Sequence, residues 1–259
     1  MKNKLPAAPY LVWMIVFILV PLIMVAYFAF TDKDGHFTLD YVSNVAQYTP
    51  IFVRSIWLAL ISTVICLLIA YPLAYILIGM NTNIQSTMLM IVMLPMWMNF
   101  LLRTYAWMAL LGNNGLINAL LGLVGLGPFK MLNTEGAVVL GMVYNYLPFM
   151  ILPIYSVMVK IDKSVLEAAA DLGCNPAKTM LKVVFPLSLP GVFSGITMVF
   201  VPAISTFIIS RMLGGGGNLL IGDLIEMQFL GNSYNINLGA AISLVLMVIV
   251  LLIMTILNQ

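Results

Sequence analysis

Asp223 and Glu226 stand three apart in the segment IGDLIEMQF, a spacing that puts both carboxylates on one face of a helix, with Tyr234 close behind. Two carboxylates beside an aromatic face suit an ammonium chain, through ion pairing and cation–π contact. The same pair would also serve as a solvated turn or as a contact for a soluble binding protein. A second group of polar and aromatic residues lies inside apolar segments. Asn99, Arg103 and Trp107 recur every four residues, with Trp97 and Tyr105 nearby; Tyr144, Asn145 and Tyr146 sit in a later segment, and Ser205 and Thr206 in another. Polar side chains are costly against lipid and face a bundle interior, so these residues, Arg103 apart, mark the expected path of a small solute. Arg103 lies toward the outer end of its segment, where its long stem is expected to carry the charge to the headgroups. Tyr144 and Tyr146 fit an interfacial belt as well as a substrate path.

Hydrolytic chemistry finds no support in the chain. Gly214 to Gly217 is glycine-rich but lacks the following Lys and Ser/Thr of a phosphate-binding loop, and reads as a flexible loop. No nucleophile, base and orienting group occur together, and the basic residues are too few and scattered for nucleic acid. His36 is the sole histidine, and Cys66 and Cys174 are not spaced as metal ligands, so no metal site is expected. With Cys66 inside an apolar segment and Cys174 in a polar loop, a disulfide between them is not expected either.

The elements that must position these residues are membrane helices. Of 259 residues 63% are hydrophobic and 8% charged, against about 25% charged in a soluble globule. Crossing roughly 30 Å of hydrocarbon takes about 20 apolar residues. Six segments meet that length, at approximately 8–30, 56–80, 87–111, 136–159, 189–210 and 238–257, all within one transmembrane domain spanning 1–259. The first exceeds the length of a signal-peptide core and is read as a retained anchor. Lys2, Lys4, Lys160, Lys163, Lys178 and Lys182 fall on one side of this arrangement, with Lys33, Arg54, Arg103, Lys130 and Arg211 on the other. The slight excess of lysine places both termini and the 160–188 loop in the cytoplasm. Pro95 in the third span, and Pro148 and Pro153 in the fourth, each free a carbonyl and permit a kink. Gly191 and Gly195 in the fifth have the spacing of close helix packing.

Between the fourth and fifth spans the chain reads EAAADLGCNPAKTMLKVVFP, from Glu167 to Pro186. Ser164 and Glu167 have capping-box spacing, which predicts a helix starting at Ser164. Ala168, Ala169, Ala170 and Leu172 propagate it and Gly173 supplies a left-handed end. Asn175 followed by Pro176 restarts a second helix, which Pro186 should stop. A helix, glycine hinge and helix with small side chains on its surface would let another backbone approach closely.

Glu167-Ala168-Ala169, three residues, Gly173, nine residues, then Val183-Val184-Phe185-Pro186 resembles the EAA signature of binding-protein-dependent ABC importer permeases, EAA-x3-G-x9-I-x-L-P. Valine replaces the usual isoleucine and phenylalanine the usual leucine. The whole chain is similar in particular to the spermidine/putrescine permeases of that family. The resemblance implies an all-α, six-span type I importer permease in which the EAA loop is a coupling helix docking on a cytoplasmic ATPase. Glu167, Ala168, Ala169, Asp171, Leu172, Gly173 and Pro176 would form that contact. It further implies a second permease subunit, two ATPase subunits that bind ATP and Mg, a periplasmic polyamine-binding protein, and residence in a bacterial inner membrane. No cofactor is then expected in this chain. Permeases for sulfate, molybdate or iron complexes share the motif. A self-contained carrier or channel would need its own coupling-ion site, and no inverted repeat supplies one. A membrane scaffold would leave the intramembrane polar residues unexplained.

Overall fold

A computed structural model describes residues 8–231 and 234–257. Its helices are α1 (Ala8–Met14), α2 (Val20–Ala29), α3 (Asp40–Asn44), α4 (Thr49–Ile78), α5 (Thr82–Trp97), α6 (Phe100–Leu111), α7 (Leu116–Leu123), α8 (Glu135–Met158), α9 (Lys163–Asp171), α10 (Pro176–Thr179), α11 (Phe185–Ile204), α12 (Ile208–Gly214), α13 (Ile221–Leu230) and α14 (Ile236–Leu257). No strand occurs among the described residues beyond an isolated bridge between Thr31 and Phe37. Six helical stretches among the described residues are long and apolar enough to cross a membrane: Pro9–Ala29, Asp40–Ile78, Phe100–Leu123, Glu135–Met158, Pro176–Ile204 and Ile236–Ile256.

The chain divides into two compact units. One takes the described parts of Met1–Phe52 and Gly222–Leu257. There α14 packs along α2, and Asn237 ties them by donating from Nδ2 to the carbonyls of Phe28 and Thr31 at 3.1 and 2.6 Å. Beyond α2, Asp32 Oδ1 accepts from the backbone amides of Asp34 and His36, closing a tight exposed turn. Lone His36 thus sits in an ordinary loop, and no cluster of metal-ligating residues occurs among the described residues.

The other unit, Val53–Ile221, is built around α8 and α11. A Cβ on Gly191 would lie 2.8 Å from the Pro153 carbonyl oxygen, and one on Gly195 would lie 2.7 Å from Met150 Sδ, so hydrogen at both positions is what lets the helices touch. The expected small-residue packing is therefore present, with its partner now identified as the Met150–Pro153 stretch of α8. Cys66, Ala70 and Ala74 of α4, one turn apart and fully buried, complete this core with Ile151, Ile154 and Val192. Where lipid replaces water, close packing and internal hydrogen bonds hold such helices together. Tyr71 Oη with Ser188 Oγ at 3.0 Å, and Ser62 Oγ donating to Met142 Sδ at 3.3 Å, are of this kind. At one end Arg54 pairs with Glu135 at 2.7 Å.

Two expectations about helix boundaries need correction. The segment 87–111 is not one helix: α5 ends at Trp97, Met98 is extended, and α6 starts after Asn99. Asn99 Oδ1 accepts from the amides of Leu101 and Leu102, so the residue assigned to a polar helix face is the N-cap of a new helix. Pro95, one turn before the break, has no amide hydrogen to extend the ladder. α5 itself has only 16 residues, and the third long apolar stretch comprises α6 and α7, joined through Gly112–Gly115. Pro186, in turn, does not stop a helix. α10 runs through a π-turn at Met180–Val184 directly into α11, with Pro186 in the first turn of α11. The widened turn just before the ring accommodates the missing donor.

Candidate functional site

The four-residue link from α8 to α9 is held tightly by its own backbone. Val159, Lys160 and Ile161 donate to the carbonyls of Tyr155, Val157 and Met158 at 2.9 to 3.1 Å. The cap of α9 is Asp162, not Ser164. Its backbone is extended, with ψ 134°, and its Oδ1 accepts from the Ser164 amide at 3.0 Å. An aspartate two positions earlier outcompetes the serine because a carboxylate is the stronger acceptor for the amides at a helix start. Donation from the Ser164 backbone, then from its side chain, holds this carboxyl below its ordinary 3.8.

The far end of α9 follows the sequence expectation closely. Gly173 has φ +76°, its amide donates to Ala170 O at 2.9 Å, and Cys174 donates to Ala169 O at 3.0 Å. These two bonds are a Schellman corner, which satisfies carbonyls that the helix leaves open. Asn175 then caps α10 through its Oδ1, which accepts from the Lys178 amide at 2.8 Å, and Pro176 takes the first helical position. The corner turns some side chains outward and others in. Glu167, Ala168, Asp171, Leu172, Gly173 and Pro176 are exposed, Leu172 by 86%, whereas Ala169 is buried against its own chain. Glu167 and Asp171, one turn apart, share the outward face. The corner thus presents an exposed leucine beside two carboxylates and a bare glycine.

The expected path residues separate into several settings. Trp107 and Tyr144 meet edge to face, with ring centroids 5.4 Å apart, above an apolar groove of about 480 Å³ that Ile65, Val139 and Leu140 also line. Asn145, one residue on, points elsewhere: it is buried and donates from Nδ2 to Gly141 O at 2.8 Å. Tyr146 points in a third direction and donates from Oη to Pro202 O on α11 at 3.3 Å. Three consecutive helical residues are about 100° apart, so they cannot line one surface together. Ser205 donates to Val201 O at the end of α11, and Trp97 and Tyr105 are exposed by 76% and 53%. Arg103 contradicts the snorkelling expectation. It is 8% exposed, with its guanidinium carbon 5.9 Å from the Phe100 ring centre. Because α6 starts only after Asn99, Arg103 falls in its first turn, where the helix packs on α8 and α12.

Asp223, Glu226 and Tyr234 belong to the other unit. Asp223 is buried at 2% on α13, Glu226 is half-buried and Tyr234 is exposed, so a solvated turn does not describe the first carboxylate. Sequence reasoning passed over two residues. Asp162 was legible as an aspartate ahead of a helical run. Gln85, whose amide bridges α4, α5 and α8, carries no local signal.

With the helices and the exposed corner in place, comparison with known proteins defines the class. Residues 35–259 match the model of the binding-protein-dependent transport system inner membrane component family, and the chain belongs to that family. It is thus a multi-pass transport permease of the inner membrane. The chain is 37% identical over 260 residues to the spermidine/putrescine transport system permease protein PotB of Haemophilus influenzae, covering 96% of this chain and 91% of that one. It is 35% identical over 247 residues to PotB of Escherichia coli, covering 92% and 90%. Among solved structures, a bacterial alginate ABC transporter in complex with alginate pentasaccharide-bound periplasmic protein has a chain that superposes with a TM-score of 0.78. That match has 16% identity and covers 97% and 90% of the two chains, which establishes the ABC importer permease fold.

Proposed function

We propose that this chain is the permease subunit of an ATP-driven importer of polyamines, spermidine and putrescine. It forms half of the translocation path together with a second permease subunit and holds no cofactor of its own. Two cytoplasmic ATPase subunits bind ATP and Mg and press on the α9–α10 corner, and a periplasmic binding protein delivers the substrate. Both termini and the corner face the cytoplasm. The observation that carries the reading is the corner itself. A capped helix, a left-handed glycine and a second capped helix present Glu167, Asp171 and Leu172 outward on an otherwise apolar bundle.

The substrate class is supported by the curated relatives along nearly the whole chain. The acid pair Asp223 and Glu226 on α13 agrees, since carboxylates suit an ammonium chain. The exposed rings of Trp97, Tyr105 and Tyr234 are available for cation–π contact, and Trp107 with Tyr144 forms a wall. The test is uptake into vesicles reconstituted with the complete transporter. ATP-dependent accumulation of labelled spermidine, competed by putrescine and not by sulfate or an iron complex, is the expected result. Accumulation of sulfate or iron instead, or uptake without ATP, would overturn it.

A further inference from the structure

Gln85, in the first turn of α5, uses every group of its side-chain amide. Nε2 donates to the carbonyls of Met80 and Ile78 at 2.8 and 3.3 Å, and Oε1 accepts from Tyr155 Oη at 2.8 Å. Ile78 is the last residue of α4 and Met80 lies in the turn after it, so the amide closes carbonyls that the helix end leaves open. Tyr155 lies in the last turn of α8, four residues short of Val159, where the bonded link to α9 begins. One side chain thus ties the turn between α4 and α5 to the helix that enters the exposed corner.

Gln85, Ile78 and Met80 also border a cleft of about 650 Å³. One wall is the turn, Gly79 to Thr82 with Gln85; the other is the end of α8 with Ile161, Leu166 and Glu167 of the corner. Glu167 therefore lines the cleft and belongs to the outward face as well. The cleft leaves open space between the turn and Leu166 and Glu167 of α9, and the Gln85–Tyr155 bond joins the turn to α8 beside it.

We propose that Gln85 and Tyr155 are positioning residues for coupling: they fix the α4–α5 turn to α8, so that displacement of α9 moves the bundle instead of being absorbed in the turn. The inference rests on the reading of α9–α10 as the ATPase contact. Neither residue touches the ATPase or the substrate. Their loss should leave hydrolysis running and lower the amount of substrate moved by each ATP.

The experiment uses the complete reconstituted transporter and measures spermidine uptake and ATP hydrolysis in the same vesicles. Gln85→Glu keeps the acceptor for Tyr155 and loses both donors to the turn. Gln85→Lys keeps donors and loses the acceptor. Tyr155→Phe removes a single hydroxyl and keeps the ring, so it tests the bond with little threat to folding. Uptake per ATP should fall at least threefold in all three, with ATPase subunits co-purifying in normal proportion and hydrolysis within twofold of the parent. A wild-type ratio in Tyr155→Phe, or in either Gln85 variant, overturns the proposal. Gly173→Leu in the same series separates the two readings. If it loses uptake while the Gln85 and Tyr155 variants do not, the tie is wrong and the coupling corner stands. If it too keeps the wild-type ratio, the corner reading falls with the tie.

Discussion

The α9–α10 corner and the break between α5 and α6 are both helix–turn–helix junctions, yet they place their charged side chains differently. At the corner, Asp162, Gly173 and Asn175 satisfy three helix ends locally, leaving Glu167, Asp171 and Leu172 outside with no internal duty. At the break, Asn99 satisfies the start of α6, and the side chain that follows, Arg103, is buried. A junction that closes its own backbone is free to offer side chains to a partner. The break instead exposes apolar Trp97, Met98, Leu101 and Leu102 and turns its one charge, Arg103, toward its own chain.

Substitutions can sharpen that contrast. The largest effect is expected away from both junctions, at the packing that supports them. Gly191→Leu forces a branched side chain onto the Pro153 carbonyl, and overpacking of this kind costs about 1–3 kcal/mol or more. Most of the detergent-stable transporter should be lost, as read by size-exclusion profile and melting temperature; a normal profile would mean that α8 and α11 do not meet there. Next comes the corner. Gly173→Leu must hold a branched residue at φ +76°, a conformation costing about 1–2 kcal/mol for an L-residue. Uptake should fall roughly tenfold at normal expression, since a 1.4 kcal/mol misalignment already shifts an equilibrium tenfold. Unchanged transport would remove the corner from the mechanism.

The break should respond more mildly. Asn99→Ala removes an N-cap worth about 1 kcal/mol, so melting should drop by a few degrees with uptake per ATP unchanged. If uptake per ATP fell more than stability, the break would share the corner's role and the contrast would be wrong. The smallest effect is at Asp162. A carboxyl whose folded value is lowered contributes stability that is fully present above its ordinary 3.8 and is lost as pH falls through the lowered folded value. Protection of the Ser164 amide from hydrogen exchange should therefore weaken only in acid below that point. Asp162→Asn should keep the cap and abolish the pH dependence.

How much of this was legible in the sequence follows the same division. Where a helix end is capped by its own neighbouring residues, the cap leaves a local signature, so Gly173, Asn175 and Pro176 could be read directly, and the error at Ser164 was only a choice between two acceptors two residues apart. In the apolar segments, composition reveals that residues cross a membrane but not which way they point. Asn99 matched a four-residue spacing and proved to be a cap, and Tyr144, Asn145 and Tyr146 face three ways. Pro186 carried the opposite trap: proline reads as a stop, and the π-turn that tolerates it has no sequence signature of its own. Gln85 shows the limit most plainly, because its partners at Ile78, Met80 and Tyr155 are joined by the fold alone.

That tolerated proline has a mechanical result. Because the helix is not interrupted at Pro186, the stretch from Pro176 to Ile204 is one continuous helical run of 29 residues, about 43 Å long at 1.5 Å per residue, with the π-turn, Pro190 and Pro202 within it. One end begins at the cap that follows Leu172 and the other ends beside Ser205. A tilt of about 5° at the Pro176 end, pivoting there, would sweep the Ile204 end through roughly 4 Å by the same geometry. A run of that length is a lever arm: a small tilt at its Pro176 end becomes a displacement about the width of an alkyl chain at its Ser205 end.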